Sequence, residues 1–161
     1  MWNNATDRDR FLAFLLQAKR STYAGQGDEA TVTPLVPGFK QLEYRDGDYF
    51  YRDIYVGMAY FVGQEVVSYR GQAVWSMSYA GGVMPPTGER CDPRAIYAFL
   101  RLALRYGTEA APYRGPVSFS DASWIYRNST SGSVEAFWGI EEIVRDGATV
   151  YECRYAGGAL R

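Results

Sequence analysis

FVGQEVVSYRGQAVWSMSYAGGVM (residues 61–84) and FWGIEEIVRDGATVYECRYAGGAL (residues 137–160) are the two stretches on which the fold reading turns. They align at an offset of 76 without a gap, and nine of the 24 positions are identical: Phe61/Phe137, Gly63/Gly139, Glu65/Glu141, Gly71/Gly147, Val74/Val150, Tyr79/Tyr155, Ala80/Ala156, Gly81/Gly157 and Gly82/Gly158. Chance gives about two identities, so the pattern reads as an internal duplication. Upstream, DGDYFYRD (residues 46–53) aligns with DASWIYRN (residues 121–128) at an offset of 75.

Working outward, a helical segment precedes each copy. Thr6, with Asp9 three residues on, has the pattern of a capped start. Phe11, Leu12, Phe14, Leu15, Leu16 and Ala18 then form a stripe at helical spacing. The second segment opens on Asp92-Pro93, carries Ile96, Phe99, Leu100 and Ala103, and meets Gly107 as a stop. Four strand-like runs follow each helix: 40–44, 49–55, 59–68 and 72–79, then 117–120, 123–128, 134–144 and 149–155. Asp46-Gly47, Arg70-Gly71, Ser131-Gly132 and Asp146-Gly147 mark turns between them. Gly63 and Gly139, inside long strands, predict a bulge or bend. The expected fold class is α+β: a helix plus four antiparallel strands, built twice. One domain is expected over residues 1–161, with halves 1–84 and 92–161 joined by 85–91 and related by a pseudo-twofold axis. A hollow is expected where the sheets of the two halves meet.

Composition limits function by exclusion. The 161 residues are 47% hydrophobic and 22% charged with a net charge of −1, which fits a folded core and not a disordered chain. Balanced charge and a pI near 5.5 argue against direct nucleic-acid binding. No apolar run is long enough to span a bilayer, and Met1-Trp2-Asn3-Asn4 lacks the features of a signal peptide; a cytoplasmic location away from membranes is the expectation. There is no histidine, which removes His-based acid–base, nucleophilic and zinc chemistry. Cys91 and Cys153 make neither a disulfide framework nor a metal set, and free thiols are expected; no metal or cofactor is expected. Only Lys19 and Lys40 of the 17 basic residues are lysine.

Strand alternation puts Trp75, Met77 and Tyr79, with Tyr151, Cys153 and Tyr155, on a core face. It also puts Glu65 beside Phe61 and Val67, and Glu141 beside Phe137 and Ile143. A buried carboxylate needs a partner, and Arg52 for Glu65 and Arg127 for Glu141 are the expected ones. Those pairs hold strands together, sit in solvent, or line a cleft near the pseudo-twofold axis. The 26 aromatics, 14 of them tyrosine, fit a ring-lined pocket, an interface or a tyrosine-rich sheet surface. Tyr23, Tyr113 and Arg114 lie in connections between a helix and a strand, where ligand contacts concentrate.

TYAGQG (22–27), LEYRDGDYFYRD (42–53), PYRGP (112–116) and VYECRYAGG (150–158) together resemble a bacterial family of domains of unknown function. Its members are found alone or C-terminal to a helix-turn-helix DNA-binding domain. The resemblance implies no established activity; by analogy it implies a sensing role for an attached regulator. The leading expectation is a non-enzymatic small-molecule-binding domain with an anionic or nucleotide-like ligand. Its site residues would be Arg52, Arg127, Glu65, Glu141, Tyr23, Tyr113, Arg114, Trp75 and Tyr151. Two alternatives stand: a carboxylate-dependent hydrolase using Glu65 and Glu141, and a protein-interaction module, with a homodimer among its forms.

Overall fold

The computed structural model describes residues 5–27, 32–84 and 92–160. Helix α1 (Ala5–Ser21) and the short α2 (Tyr23–Gln26) lead into strands β1 (Lys40–Asp46), β2 (Tyr49–Gly57), β3 (Tyr60–Tyr69) and β4 (Gln72–Val83). Helix α3 (Pro93–Leu104) then precedes β5 (Ser118–Asp121), β6 (Trp124–Ser133), β7 (Ala136–Arg145) and β8 (Ala148–Ala159). All eight strands form one antiparallel sheet in the order β1-β2-β3-β4-β8-β7-β6-β5. Among the described residues no helix is long and apolar enough to cross a membrane.

The expected meeting of two separate sheets is therefore corrected. β4 pairs directly with β8 over Trp75↔Ala159 to Val83↔Tyr151, so the two halves share one continuous sheet, and the space that residues of both halves line lies between sheet and helices, not between two sheets. The physical reason is the length of these strands. Gly81-Gly82 and Gly157-Gly158 lie within β4 and β8 instead of following them, because the backbones of neighbouring strands pass too close to admit a Cβ. The extra residues give each strand a second ladder partner.

Other boundaries move for local reasons. Helix α1 already includes Thr6, so the expected cap position is inside the helix. Asp92 does cap α3, its side chain accepting from the Arg94 N–H at 2.9 Å, with Pro93 at the first turn. The β1–β2 turn is Gly47-Asp48, since Asp46 still pairs with Tyr49. Ser131-Gly132 lies within β6, and its turn falls at residues 134–135. Arg70-Gly71 and Asp146-Gly147 are two-residue turns with positive φ at both positions, the conformation that tight hairpins demand. The bulges fall at Val67/Ser68 and Ile143/Val144, not at Gly63 and Gly139. Cys153 is a buried free thiol, pushed up to about 12 by burial; Cys91 lies outside the described residues.

One face of the sheet carries the core. Phe11, Leu15 and Ala18 of α1 and Ile96, Leu100 and Ala103 of α3 are almost wholly buried, together with Leu42, Val67, Trp75, Met77, Ile143 and Tyr151 from the strands. Phe11 lies against Trp75, and Phe99 against Phe119 and Trp124, so both helices cover the same face. A single cross-strand row runs Tyr55, Gly63, Tyr79, Tyr155, Gly139, Thr130. Each glycine seats a tyrosine ring, because a Cβ at Gly63 or Gly139 would run into the ring of Tyr79 or Tyr155. Replacing Gly63 by alanine is expected to push the Tyr79 ring aside and destabilise the fold by about 1–3 kcal/mol; chemical denaturation against the wild type checks this, and an unchanged midpoint would contradict it.

Candidate functional site

The Gly63 seat aims the Tyr79 hydroxyl along the inner face of the sheet towards β2. There it donates to Asp53 Oδ1 at 2.6 Å. Asp53 is the direct cross-strand partner of Glu65 in β3, so two carboxyl groups sit side by side on a face that the helices cover. They are 5% and 2% exposed. Lys19, in the last turn of α1, reaches down from the helix layer. Its Nζ donates to Glu65 Oε2 at 2.5 Å and to the Tyr113 carbonyl at 2.7 Å. Arg114 completes the set from the connection between α3 and β5.

These four charged side chains line a pocket of about 60 Å³, together with Thr22, Tyr23, Ala24, Tyr51, Tyr55, Phe61, Tyr79, Leu100, Leu104 and Tyr113. One wall is the sheet; the other is the C-terminal end of α1, α2 and the last turns of α3. Burial pushes Asp53 up to about 7, and the neighbouring Glu65 carboxylate adds to that rise. The Tyr79 hydrogen bond and the charges of Lys19 and Arg114 pull it the other way. Burial also lowers Lys19, which Glu65 partly offsets. The Tyr51 and Tyr79 hydroxyls are held protonated, chiefly by burial.

The aligned positions of the second half look different. Glu141 is 0% exposed and accepts from Arg114 Nε at 3.0 Å and Nη2 at 2.5 Å, from the Tyr126 hydroxyl at 2.6 Å and from the Tyr151 hydroxyl at 2.9 Å. Burial opposes the charge on Arg114, but Glu141, together with Cys153 and Tyr151, outweighs it and keeps the guanidinium firmly protonated. Asn128 stands where the first half has Asp53. It donates to the Gly115 carbonyl at 3.0 Å and accepts from the Tyr155 hydroxyl at 2.7 Å. The Tyr113 ring stacks on Phe137 with centroids 3.9 Å apart. These polar groups are satisfied and packed over.

Of the residues expected at a site, Glu65, Tyr23, Tyr113 and Arg114 do line the pocket. Glu141 sits behind Arg114, and Tyr151 is a core residue bonded to Glu141. Trp75 is fully buried against Phe137, its indole N–H donating to the Val134 carbonyl at 3.2 Å, away from the pocket. Arg52 and Arg127 are corrected. Arg52 pairs in register with Val66 on the opposite sheet face and bridges to Glu43 at 2.9 Å. Arg127 lies across from Glu142 and meets it at 3.4 Å, more than half exposed. Alternation explains why Arg52 is not the partner: Tyr51, Asp53 and Tyr55 face inwards, so Arg52 cannot, and the cations that reach Glu65 and Glu141 are Lys19 and Arg114, from outside the sheet.

Sequence reasoning missed Lys19, Asp53 and Tyr79 as site residues. Two signals were there. Lys19 is one of only two lysines, and Asp53 aligns with Asn128, an isosteric exchange that alters charge alone.

The fold and the pocket define an α+β protein with one helix-covered eight-stranded antiparallel sheet and a small charged pocket beneath the helices. The model of a domain-of-unknown-function family, DUF5680, matches residues 53–160, and the chain belongs to that family. The match takes in Asp53, Glu65, Tyr79 and Arg114 and leaves Lys19 outside. No curated protein matches this chain, and neither does any solved structure. Among the described residues no group of three or more acidic or cysteine side chains is placed to hold a metal ion.

Proposed function

We propose that this chain is a small-molecule-binding domain whose site is the pocket framed by Lys19, Asp53, Glu65 and Arg114. The observation that carries the reading is the contrast between the halves: the first keeps ionisable side chains around open volume, while the aligned positions of the second close into satisfied hydrogen bonds. A fold that needed these groups only for packing would treat both halves alike. We also read the halves as copies of one unit. The ladder Glu65↔Met77 recurs as Glu141↔Cys153, the bulges recur 76 residues apart, and Tyr79 pairs with its own counterpart Tyr155. At about 60 Å³ the pocket holds roughly two waters, which favours a ligand much smaller than a nucleotide.

Mass spectrometry of small molecules released from purified protein, followed by a metabolite thermal-shift screen, tests the reading. A ligand at a hundredfold its Kd should add about 2.7 kcal/mol, or roughly 5–10 °C in Tm. No retained molecule and no metabolite-dependent shift would remove the reading.

A second reading, carboxylate-dependent catalysis, has its own support in the facing carboxyls of Asp53 and Glu65, one of them poised near neutral pH. It replaces the expected Glu65/Glu141 pair, since Glu141 lies behind Arg114 and does not line the pocket. Turnover of a bound molecule, abolished in Glu65→Gln with binding retained, would favour it over binding alone.

A further inference from the structure

The pocket's charges can be paired off one by one. Lys19 is bonded to Glu65, and Arg114 to Glu141. Each pair cancels, and each cation already holds a carboxylate. Asp53 is the fifth charge of the cluster, and the hydrogen bond that holds it comes from a neutral hydroxyl, that of Tyr79. With Asp53 ionised the five groups sum to −1. An anionic ligand would meet only the N–H groups that Glu65 and Glu141 leave over, and would still face Asp53 in a cluster that is already negative. A cationic ligand brings the cluster to neutrality without breaking a bond. The remaining lining is aromatic: Tyr23, Tyr55, Phe61, Tyr79 and Tyr113 stand around the same volume, and ring faces attract cations. Rings of this wall already do so, with Arg114 over Tyr79 at 5.4 Å and Arg101 over Tyr23 at 5.9 Å.

We propose that the ligand is a small organic cation, an alkylammonium of about two or three heavy atoms, whose nitrogen takes Asp53 as its counter-ion and whose carbons lie against the tyrosine rings. This rests on the pocket-binding reading above and narrows it to a ligand class, replacing the anionic or nucleotide-like ligand expected from the arginines. The groups facing Asp53 are Glu65 from β3, Tyr79 from β4, Lys19 from α1, Arg114 from the α3–β5 connection and Tyr51 from its own strand. Of these, Asp53 is the one raised to about 7, so a permanently charged ligand should bind more tightly as pH rises through neutrality.

The test uses the full chain with methylammonium and ethylammonium as probes, and with ethanol and acetate as neutral and anionic controls of similar size. The readouts are calorimetric titration and thermal shift at pH 6 and pH 8. Methylammonium, which stays charged over this range, is expected to bind about tenfold more tightly at pH 8 than at pH 6, following the ionised fraction of Asp53. The controls should be silent, and Asp53→Asn should lose the response to both cations. A measurement on the wild type guards against a misfolded variant: in carboxyl-carbon NMR, methylammonium should shift the Asp53 titration to lower pH. Binding of acetate or ethanol without the cations would overturn the cation inference and leave the pocket reading standing. Silence from all four probes, with no molecule retained on purification, would overturn both. Cation binding that is indifferent to pH and to Asp53→Asn would also overturn this proposal.

Discussion

Glu141→Leu is expected to lower the melting temperature by roughly 6–20 °C, because it strands a guanidinium that the fold has withdrawn almost wholly from bulk solvent. The Arg114 side chain is 8% exposed and its Nε and Nη2 both bond to Glu141 Oε1. Removing one member of a buried ion pair costs about 3–5 kcal/mol, since the survivor keeps its desolvation penalty and loses the attraction that offset it. The Tyr126 and Tyr151 hydroxyls also lose their acceptor. A double variant separates this mechanism from simple loss of packing. Arg114→Met combined with Glu141→Leu replaces both charges by apolar groups and should recover much of the loss. Thermal unfolding of the two single variants and the double variant checks this. If the double variant is less stable than either single one, the stranded-charge explanation is wrong and the pair contributes net stability of its own.

How much could be read from the chain itself divides along the same lines. Strand positions were legible because alternation and turn residues are local properties: β2 starts at Tyr49 and β4 at Gln72, as expected, and Asp146-Gly147 closes its hairpin. Strand ends were not, because Gly81-Gly82 and Gly157-Gly158 punctuate a sequence as loops do. Their role here, close approach of neighbouring backbones, exists only once the strands are paired. The carboxylates Glu65 and Glu141 were correctly placed on the buried face. Their partners were not, because a partner's side depends on one-residue parity and Lys19 and Arg114 arrive from outside the sheet altogether. No pattern within β2 or β3 tells which helix end will hang over Glu65. The difference between open and sealed halves was equally hidden, although the Asp53/Asn128 exchange carried it in one atom type.

That exchange supplies the second large effect. Wild-type stability is expected to fall as pH rises from about 4 to about 7, and Asp53→Asn should remove most of that slope. Asp53 is raised from 3.8 to about 7 in the folded chain, by burial first and by Glu65 second. Between those values the folded state keeps a proton that the unfolded state has released, so stability drops with rising pH and levels off above the folded value. The penalty at pH 8 is about 4 kcal/mol. Asparagine at 53 has nothing to ionise, and the fold already accommodates it: Asn128 occupies the aligned position and accepts the Tyr155 hydroxyl at 2.7 Å, much as Asp53 accepts Tyr79 at 2.6 Å. The variant should therefore match the wild type near pH 4 and exceed it by up to about 4 kcal/mol at pH 8. Urea unfolding across that range measures both curves. Parallel curves would mean that Asp53 does not carry the pH dependence, and with it would go the argument that an unbalanced carboxyl waits in the pocket. Divergence at high pH, accompanied by loss of the cation response, would identify Asp53 as a residue whose charge costs the fold stability and is kept for binding.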